Sequence, residues 1–423
     1  MRMARTVAVG WLGIGFGLVF GCLTGWGADA ATSGKAVGGL KEWLGKPREE
    51  RGAIAEQEFA SVALTAADSV VAADALWVDR KEWIRATRRA ETEARQIEIG
   101  GKVLRYEVVR FADAAPVPAG GRSLFISMHG GGGAPKRVND SQWTNQVRLA
   151  RQYAPKEGIY VAPRAPTDTW NLWHEEHIDA LFARLIENMV VLEDVNPDRV
   201  YLMGYSAGGD GVYQLAPRMA DWYAAAAMSA GHPNETQPLG LRNLPFALHV
   251  GSKDSAYRRN EIAVEWREKL ARLRDQDPGG YEHLVGTPDT GHWMGMADRV
   301  AIPWMEERTR RVWPDRVAWR QDDVLHGSFY WLAVPAGTAR AGVEVIARRE
   351  GAVVLVEKSE THRLLVRWTD GMADLEGPVE VRMGDKVLHR GVVTRTVGTL
   401  ARTLEERGDR KLMFPAEIEV TVP

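Results

Sequence analysis

The chain has 423 residues, more than one typical domain uses, so a main folding unit and at least one smaller module are expected. Hydrophobic residues make up 45% and charged residues 26%, a globular balance that excludes a long disordered chain. A formal net charge of -2 gives no electrostatic basis for nucleic acid or an acidic membrane surface as partner.

In chain order, Arg2 and Arg5 come first, followed by an apolar, glycine-rich run from Val7 to Leu23 and the small-x-small triplet Ala28-Asp29-Ala30. Together these predict a secretory signal over residues 1–30, removed after Ala30, and hence an exported protein, periplasmic or extracellular. An uncleaved anchor is the alternative, although glycines weaken a span that needs about 20 apolar residues. Val19-Phe20-Gly21-Cys22 also loosely resembles a lipoprotein signal, so Cys22 is a candidate lipidation site. A membrane is expected as partner only through this segment. Cys22 is the sole cysteine, so its removal leaves no disulfide, thiolate metal site or cysteine nucleophile.

Residues 31–95 are rich in Ala, Glu and Arg, with Trp43, Trp77, Trp83 and Ile84 at spacings that suit helices laid on another surface. This predicts a helical N-terminal extension. Gln96 to Phe111 alternates apolar and polar residues around Gly100-Gly101, which predicts a β-hairpin at a sheet edge.

From there to residue 314 one theme repeats: a short apolar run, a turn, then an amphipathic helix, the pattern of a mostly parallel sheet with covering helices. Predicted strands are Ser123–Met128, Gly158–Ala162, Val200–Met203, Ala224–Met228, Pro245–Val250 and His283–Val285. Predicted helices are Ser141–Tyr153, Trp173–Leu192, Asp210–Met219, Asn260–Arg274 and Ala297–Arg310. Residues 315–423 change to short alternating stretches separated by turns, with Thr399–Glu406 as the one helical segment. They predict a small C-terminal β-rich module, a sandwich by pattern.

Gly204-Tyr205-Ser206-Ala207-Gly208 matches G-x-S-x-G between an apolar strand and a helix-compatible stretch, the setting of a nucleophile elbow. His129-Gly130-Gly131-Gly132-Gly133 follows a strand, where a second loop can aim backbone N–H groups at a developing oxyanion. Such donors are worth about 2.7–4 kcal/mol each. Ala207 is expected to supply one, and Gly131 or Gly132 the other.

A serine hydroxyl needs an imidazole to take its proton, and the imidazole needs a carboxylate to fix its tautomer. Asp254, at the end of the strand Phe246–Val250, is the expected acid, with Asp289 as the alternative. His292, in the turn-rich Pro288–Trp293, is the expected base. Its rival His283 falls inside an apolar strand.

The stretch Asp168 to His177 concentrates aromatic and titratable groups, so Trp170, Trp173 and His174 are candidate substrate-binding residues. His232 and Trp293 are candidates for lining the acyl pocket, and packing roles for both are equally compatible with the pattern. His174 and His177, beside Glu175 and Glu176, admit a metal reading, but HExxH spacing is absent and a Ser-His-Asp site requires no metal. No metal or cofactor is expected.

On His129–Gly133, Leu202–Gly209, Gly251–Asp254 and Gly291-His292, the chain resembles exported bacterial α/β-hydrolases of the esterase and polyhydroxybutyrate-depolymerase-like group, over roughly Gln96 to Arg310. The stretch Met372 to Val381 also resembles the β module that follows the catalytic domain in related exported hydrolases. The resemblance implies an α/β-hydrolase fold with a mostly parallel central sheet and the triad order Ser206, Asp254, His292. It implies hydrolysis of a small-molecule or carbohydrate-linked ester through an acyl-enzyme, but no particular substrate, because esterases, depolymerases and peptidase-like members share the triad. Two other readings stand beside it. One is a serine peptidase of prolyl-oligopeptidase type, although residues 31–95 show no blade-length β repeat; the other is a surface binding protein with a retired hydrolase domain.

Overall fold

The computed structural model describes residues 28–423. The expected signal run and Cys22 lie outside the described residues. Among the described residues, no helix is long and apolar enough to cross a membrane.

The chain enters through α1 (Ala30–Gly45), capped by the Asp29 carboxylate, which accepts the Thr32 N–H at 2.8 Å. Helix α2 (Ala66–Thr87) starts at Thr65, whose hydroxyl takes the Asp68 N–H, and α3 (Arg89–Ala94) follows at once. The central sheet is built from β1 (Gln96–Ile99), β2 (Lys102–Phe111), β3 (Arg122–Met128), β4 (Gly158–Arg164), β5 (Val195–Tyr205), β6 (Ala225–Ser229), β7 (Phe246–His249) and β8 (His283–Gly286).

Its spatial order is β1-β2-β4-β3-β5-β6-β7-β8. The β1/β2 and β2/β4 pairs are antiparallel and every later pair is parallel. All seven residues of β4 are buried, as a strand covered on both faces requires. The covering helices are α4 (Lys136–Tyr153), α5 (His177–Leu192), α6 (Ala207–Arg218), α7 (Arg259–Gln276) and α8 (Ala301–Glu306). This order and the crossover helices are those of the α/β-hydrolase fold.

Helices α4, α5 and α8 depart most from expectation, and α4 begins at Lys136 rather than Ser141. Helix α5 begins at His177 rather than Trp173, because Trp173 is buried in the core and its indole N–H donates to the His129 carbonyl at 2.8 Å. Helix α8 stops at Glu306 instead of Arg310, whose N–H donates to the Asp198 carbonyl.

Beyond α8 the chain forms two further sheets. A five-stranded sheet contains β9 (Arg316–Arg320), β12 (Glu344–Glu350), β13 (Val353–Ser359), β15 (Val379–Met383) and β16 (Lys386–Gly391). A four-stranded sheet contains β10 (Ser328–Phe329), β11 (Leu332–Ala333), β14 (Arg363–Trp368) and β17 (Ala416–Thr421). Their buried faces, with Trp319, Trp331 and Trp368, join the apolar core under the central sheet. Helix α9 (Val397–Arg407) instead presents Val397, Leu400 and Leu404 to Leu40, Leu64 and Leu76 of the N-terminal helices. The two ends of the chain thus complete one cluster.

Charges cross these seams. Glu187 of α5 accepts from Arg80 of α2 at 2.8 Å and from the buried Arg88. Arg310 pairs with Asp198 at 3.0 Å and with Asp409 at 2.6 Å. Arg407 reaches Asp221 at 3.1 Å.

His129, at the end of β3, is fully enclosed. Its Nε2 accepts the Ala165 N–H at 3.2 Å, so the proton sits on Nδ1, which donates to the Gly130 carbonyl. Burial pushes its pKa down to about 4. A histidine held below its unfolded value binds fewer protons folded than unfolded between those two values. The stability it supports is therefore complete above about pH 6.5 and lost as pH falls toward 4.

Two outcomes follow from these contacts. Glu187→Leu strands the buried Arg88 guanidinium and leaves Arg80 its pair with Glu405 alone, and should cost about 3–5 kcal/mol, read as a lower thermal midpoint. His129→Gln should flatten the fall in urea-unfolding stability between pH 6.5 and 4, whatever its effect at pH 7.5.

Candidate active site

Ser206 sits at the turn between β5 and α6 with φ 56° and ψ -122°, a conformation that non-glycine residues rarely adopt. The turn survives because its surroundings over-determine it. The Ser206 N–H donates to the Ser229 carbonyl of the neighbouring strand at 2.9 Å, and the Asp210 N–H returns to the Ser206 carbonyl at 3.0 Å. Gly208 lies against the end of β3, where an added Cβ would come within 2.1 Å of the Met128 carbonyl oxygen. Only glycine permits that approach. The result is a serine hydroxyl lifted over the C-terminal edge of the sheet.

Asp254 and His292 arrive on separate loops, after β7 and β8. These loops are joined backbone to backbone: Ser252 N–H donates to Pro288 at 2.8 Å and Lys253 N–H to Thr290 at 2.9 Å. Gly251 allows this contact, since a Cβ there would meet the Gly291 carbonyl oxygen at 2.2 Å. His292 Nδ1 lies 2.7 Å from Asp254 Oδ2, and His292 Nε2 lies 3.0 Å from Ser206 Oγ. Because a buried carboxylate only accepts, Nδ1 carries the proton and Nε2 is left to accept from the serine hydroxyl. Asp254 is almost wholly buried, whereas His292 is partly open to solvent on its reacting side. The three side chains can pass a proton from Oγ to Nε2.

The alternatives lie elsewhere. Asp289 is exposed and pairs with Lys253 at 2.9 Å, and His283 bonds to the Tyr281 carbonyl within β8.

The glycine loop after β3 packs directly on the elbow, with the Gly130 Cα facing Ser206 Cβ. Gly131 and Gly132 have φ 117° and 111°. The Gly132 N–H is not available to an oxyanion, because it donates to Asn139 Oδ1 at 3.1 Å. That corrects its expected role. Among the described residues, no acceptor takes the Gly131 N–H. Ala207 opens α6, so its N–H is one of that helix's unpaired donors. These two N–H groups are the available pair.

Several residues that the sequence left unmarked hold this geometry. Asn139, from the first turn of α4, returns its amide to the Gly132 carbonyl at 3.0 Å and to Asp168 at 2.8 Å, and Asp168 is paired with the buried Arg164. Tyr205, the variable residue of the elbow motif, donates its hydroxyl to the His292 carbonyl at 2.7 Å and accepts the Met294 N–H at 3.0 Å. No periodicity or spacing marks either residue.

Two cavities meet at Gly131, and the first of them contains Ser206. One, about 620 Å³, is lined by Tyr205, Ser206, His292 and Trp293 together with Val138 and Gln142 of α4. The other, about 240 Å³, borders Gly131 and Ala207 and is walled by Trp170, Asp210, His232 and Arg259. Of the candidate substrate-binding residues, Trp293 lines the first cavity and Trp170 and His232 the second. Trp173 lines neither; it braces His129 from behind, ring edge to ring face at 4.9 Å. His174 is buried under Trp170 and is absent from both walls. A larger cavity of about 670 Å³, between α5 and the C-terminal module, contains none of these residues. Glu235, Asp322 and Asp323 bring three carboxylates within 4.8 Å, outside the walls of both cavities, and His174 and His177 are not among them.

No family model matches the chain. A protein named as an esterase, NocK, from Nocardia uniformis subsp. tsuyamanensis, is 31% identical over 167 residues, 37% of this chain and 47% of that protein. The chain thus spans about half the length of the curated relative it matches. Among solved structures, a thermostable esterase aligns with a TM-score of 0.39 at 18% identity, over 51% of this chain and 62% of that one. LpqC, a poly(3-hydroxybutyrate) depolymerase from Bordetella parapertussis, aligns with a TM-score of 0.37 at 18% identity, over 50% of this chain and 87% of that one. Its own strand order and serine elbow give the chain the α/β-hydrolase fold, and its resemblance is to the esterase and polyhydroxybutyrate-depolymerase-like group.

Proposed function

We propose that this protein is a serine hydrolase that cleaves carboxylic esters through an acyl-enzyme. The observation that carries the proposal is the continuous hydrogen-bonded relay from Asp254 through His292 to Ser206, with steps of 2.7 and 3.0 Å. Ser206 Oγ attacks the ester carbonyl while His292 Nε2 takes its proton. Negative charge then develops on the carbonyl oxygen, where the N–H groups of Gly131 and Ala207 receive it. The N-terminal end of α6 adds its positive dipole.

Collapse of the tetrahedral intermediate breaks the bond to the alcohol, which leaves with the proton from Nε2. Water, deprotonated by the same nitrogen, then attacks the acyl-enzyme and releases the acid. Asp254 stays ionised, fixing the imidazole tautomer and stabilising the imidazolium as it forms. No metal or cofactor has a part in these steps.

The strain held at Ser206 favours catalysis over a retired, purely binding domain, since a binding surface has no use for an exposed serine in a disfavoured conformation. A peptidase must protonate a poorer leaving group through the same base, so aminoacyl amides test that rival directly. Export is proposed with the same reading, on the strength of the Val7–Leu23 run and Ala28-Asp29-Ala30, and removal after Ala30 would take the Asp29 cap from α1.

A fluorophosphonate probe should label the purified protein at Ser206, and Ser206→Ala should abolish both labelling and turnover of p-nitrophenyl acetate. A Ser206→Ala protein with the original rate would end the proposal. Asp254→Asn should lower kcat by about 10⁴, as expected when the imidazole tautomer is lost. Tyr205→Phe removes the two hydrogen bonds that tie the His292 loop to the elbow while keeping the ring in the cavity wall, and should lower kcat about tenfold with KM within twofold, since the hydroxyl is engaged by the backbone of His292 and Met294.

A further inference from the structure

We infer that the smaller cavity is the acyl-side subsite, and that Asp210 and Arg259 select an uncharged acyl group carrying both a hydrogen-bond donor and an acceptor. This rests on the ester-hydrolase reading above and adds the substrate class.

The assignment of sides follows from proton transfer. The departing alcohol must receive its proton from His292 Nε2, so it leaves on the side that His292 lines, and the 620 Å³ cavity contains His292. The 240 Å³ cavity contains Gly131 and Ala207, the two oxyanion donors, and neither Ser206 nor His292, so it opens on the oxyanion side of the nucleophile. With the carbonyl oxygen in the hole and the leaving oxygen at Nε2, the remaining substituent of the carbonyl carbon points into that smaller space. Pockets that hold drug-sized ligands run from about 300 Å³ upward, so this one suits a short chain.

Its wall is polar and incompletely partnered. Asp210 lies one helical turn beyond Ser206 and accepts a single side-chain-directed bond, from the His232 N–H at 2.6 Å. Burial raises its pKa to about 6, the mark of a carboxylate with too few partners. Arg259, 9% exposed, makes only long contacts: 3.4 Å to the Ala256 carbonyl and 3.8 Å to Asp254. Its Nε is buried without a partner, and so is Asn234 Nδ2 on the same wall. One acceptor and two donors are therefore left short of hydrogen bonds beside the position of the acyl group.

The charges decide what can fill it. A carboxylate drawn to Arg259 would also lie beside Asp210, and an ammonium drawn to Asp210 would also lie beside Arg259, so an ion of either sign meets repulsion as well as attraction. Burial favours the neutral form of His232, which adds no third charge. A hydroxyl or an amide offers a donor to Asp210 and an acceptor to Arg259 with no net charge. Trp170 and Tyr257, 62% and 77% exposed, border the same space and give flat apolar faces for the carbon skeleton. Tyr257 and Arg258 have consecutive positive φ angles of 55° and 58°, and the Arg259 guanidinium lies 4.9 Å from the Tyr257 ring, so the loop after Asp254 is held in a costly shape beside this cavity.

The test is kcat/KM on p-nitrophenyl esters of butyrate, lactate, N-acetylglycine, succinate and glycine, each divided by its rate of hydroxide hydrolysis. The lactate or the N-acetylglycine ester should exceed butyrate at least tenfold, with the succinate and glycine esters below both polar neutral esters; which of the two wins separates a hydroxyl from an amide. Asp210→Asn should raise the succinate-to-butyrate ratio at least fivefold, and Arg259→Met the glycine-to-butyrate ratio, opposite signatures that a merely structural role would not give. A preference for butyrate by the unaltered protein, or variants that depress all five esters alike, overturns the inference while fluorophosphonate labelling at Ser206 leaves the hydrolase reading intact. If no ester turns over and Ser206 does not label, both fall.

Discussion

The close contact of backbone on backbone at the β5–α6 elbow is the constraint on which the rest of this structure depends. Gly208 presses against the Met128 carbonyl of the neighbouring strand, and the Ser206 N–H is tied to Ser229 on the strand at the other side. With both sides occupied, Ser206 has one place to go. Its positive φ is stored strain, offset by burial of the parallel strands around it. Every other active-site element is then positioned against a fixed point.

Three separate devices carry that position outward. The glycine loop is clamped by His129 against the end of β4, by Asn139 through paired bonds to Gly132, and from behind by Trp173. The loops that carry Asp254 and His292 are joined by their own main-chain hydrogen bonds, which fix the two side chains relative to each other. Tyr205 ties the His292 loop back to the elbow through its hydroxyl. Rigid placement of this kind is what lets oriented N–H groups and an imidazole act without reorganising during reaction.

The flanking segments serve the same core from outside. The N-terminal helices share an apolar cluster with α9, near the other end of the chain, while Arg80, Arg88 and Glu187 bind α2 to α5. Buried arginines at 310 and 407 each meet a carboxylate across a boundary between segments, and Arg218, paired with Asp179 of α5, also reaches Asp323 at 3.5 Å. Pairs of this kind contribute specificity of docking more than net stability, since desolvation offsets most of their attraction. The C-terminal module continues the apolar core under the central sheet rather than standing apart from it.

Local chemistry determined much of this in advance. Apolar runs bounded by turns marked the strands, G-x-S-x-G between strand and helix marked the elbow, and strand-end loops singled out Asp254 and His292, because each of these signals is carried by neighbours in the chain. Whether Gly131 or Gly132 frees its N–H depended on Asn139, a residue with no motif of its own. Trp173 and His174 looked like a substrate lip, yet the core took one and covered the other, since an aromatic residue beside a turn reads alike whether it faces solvent or protein. The presence of Asp210 and Arg259 in the wall of one small cavity is a meeting of α6 with the start of α7, 49 positions apart. Only the tertiary fold could decide it, because charge and hydrogen-bond balance in a pocket belong to the groups that converge there and not to any stretch of sequence.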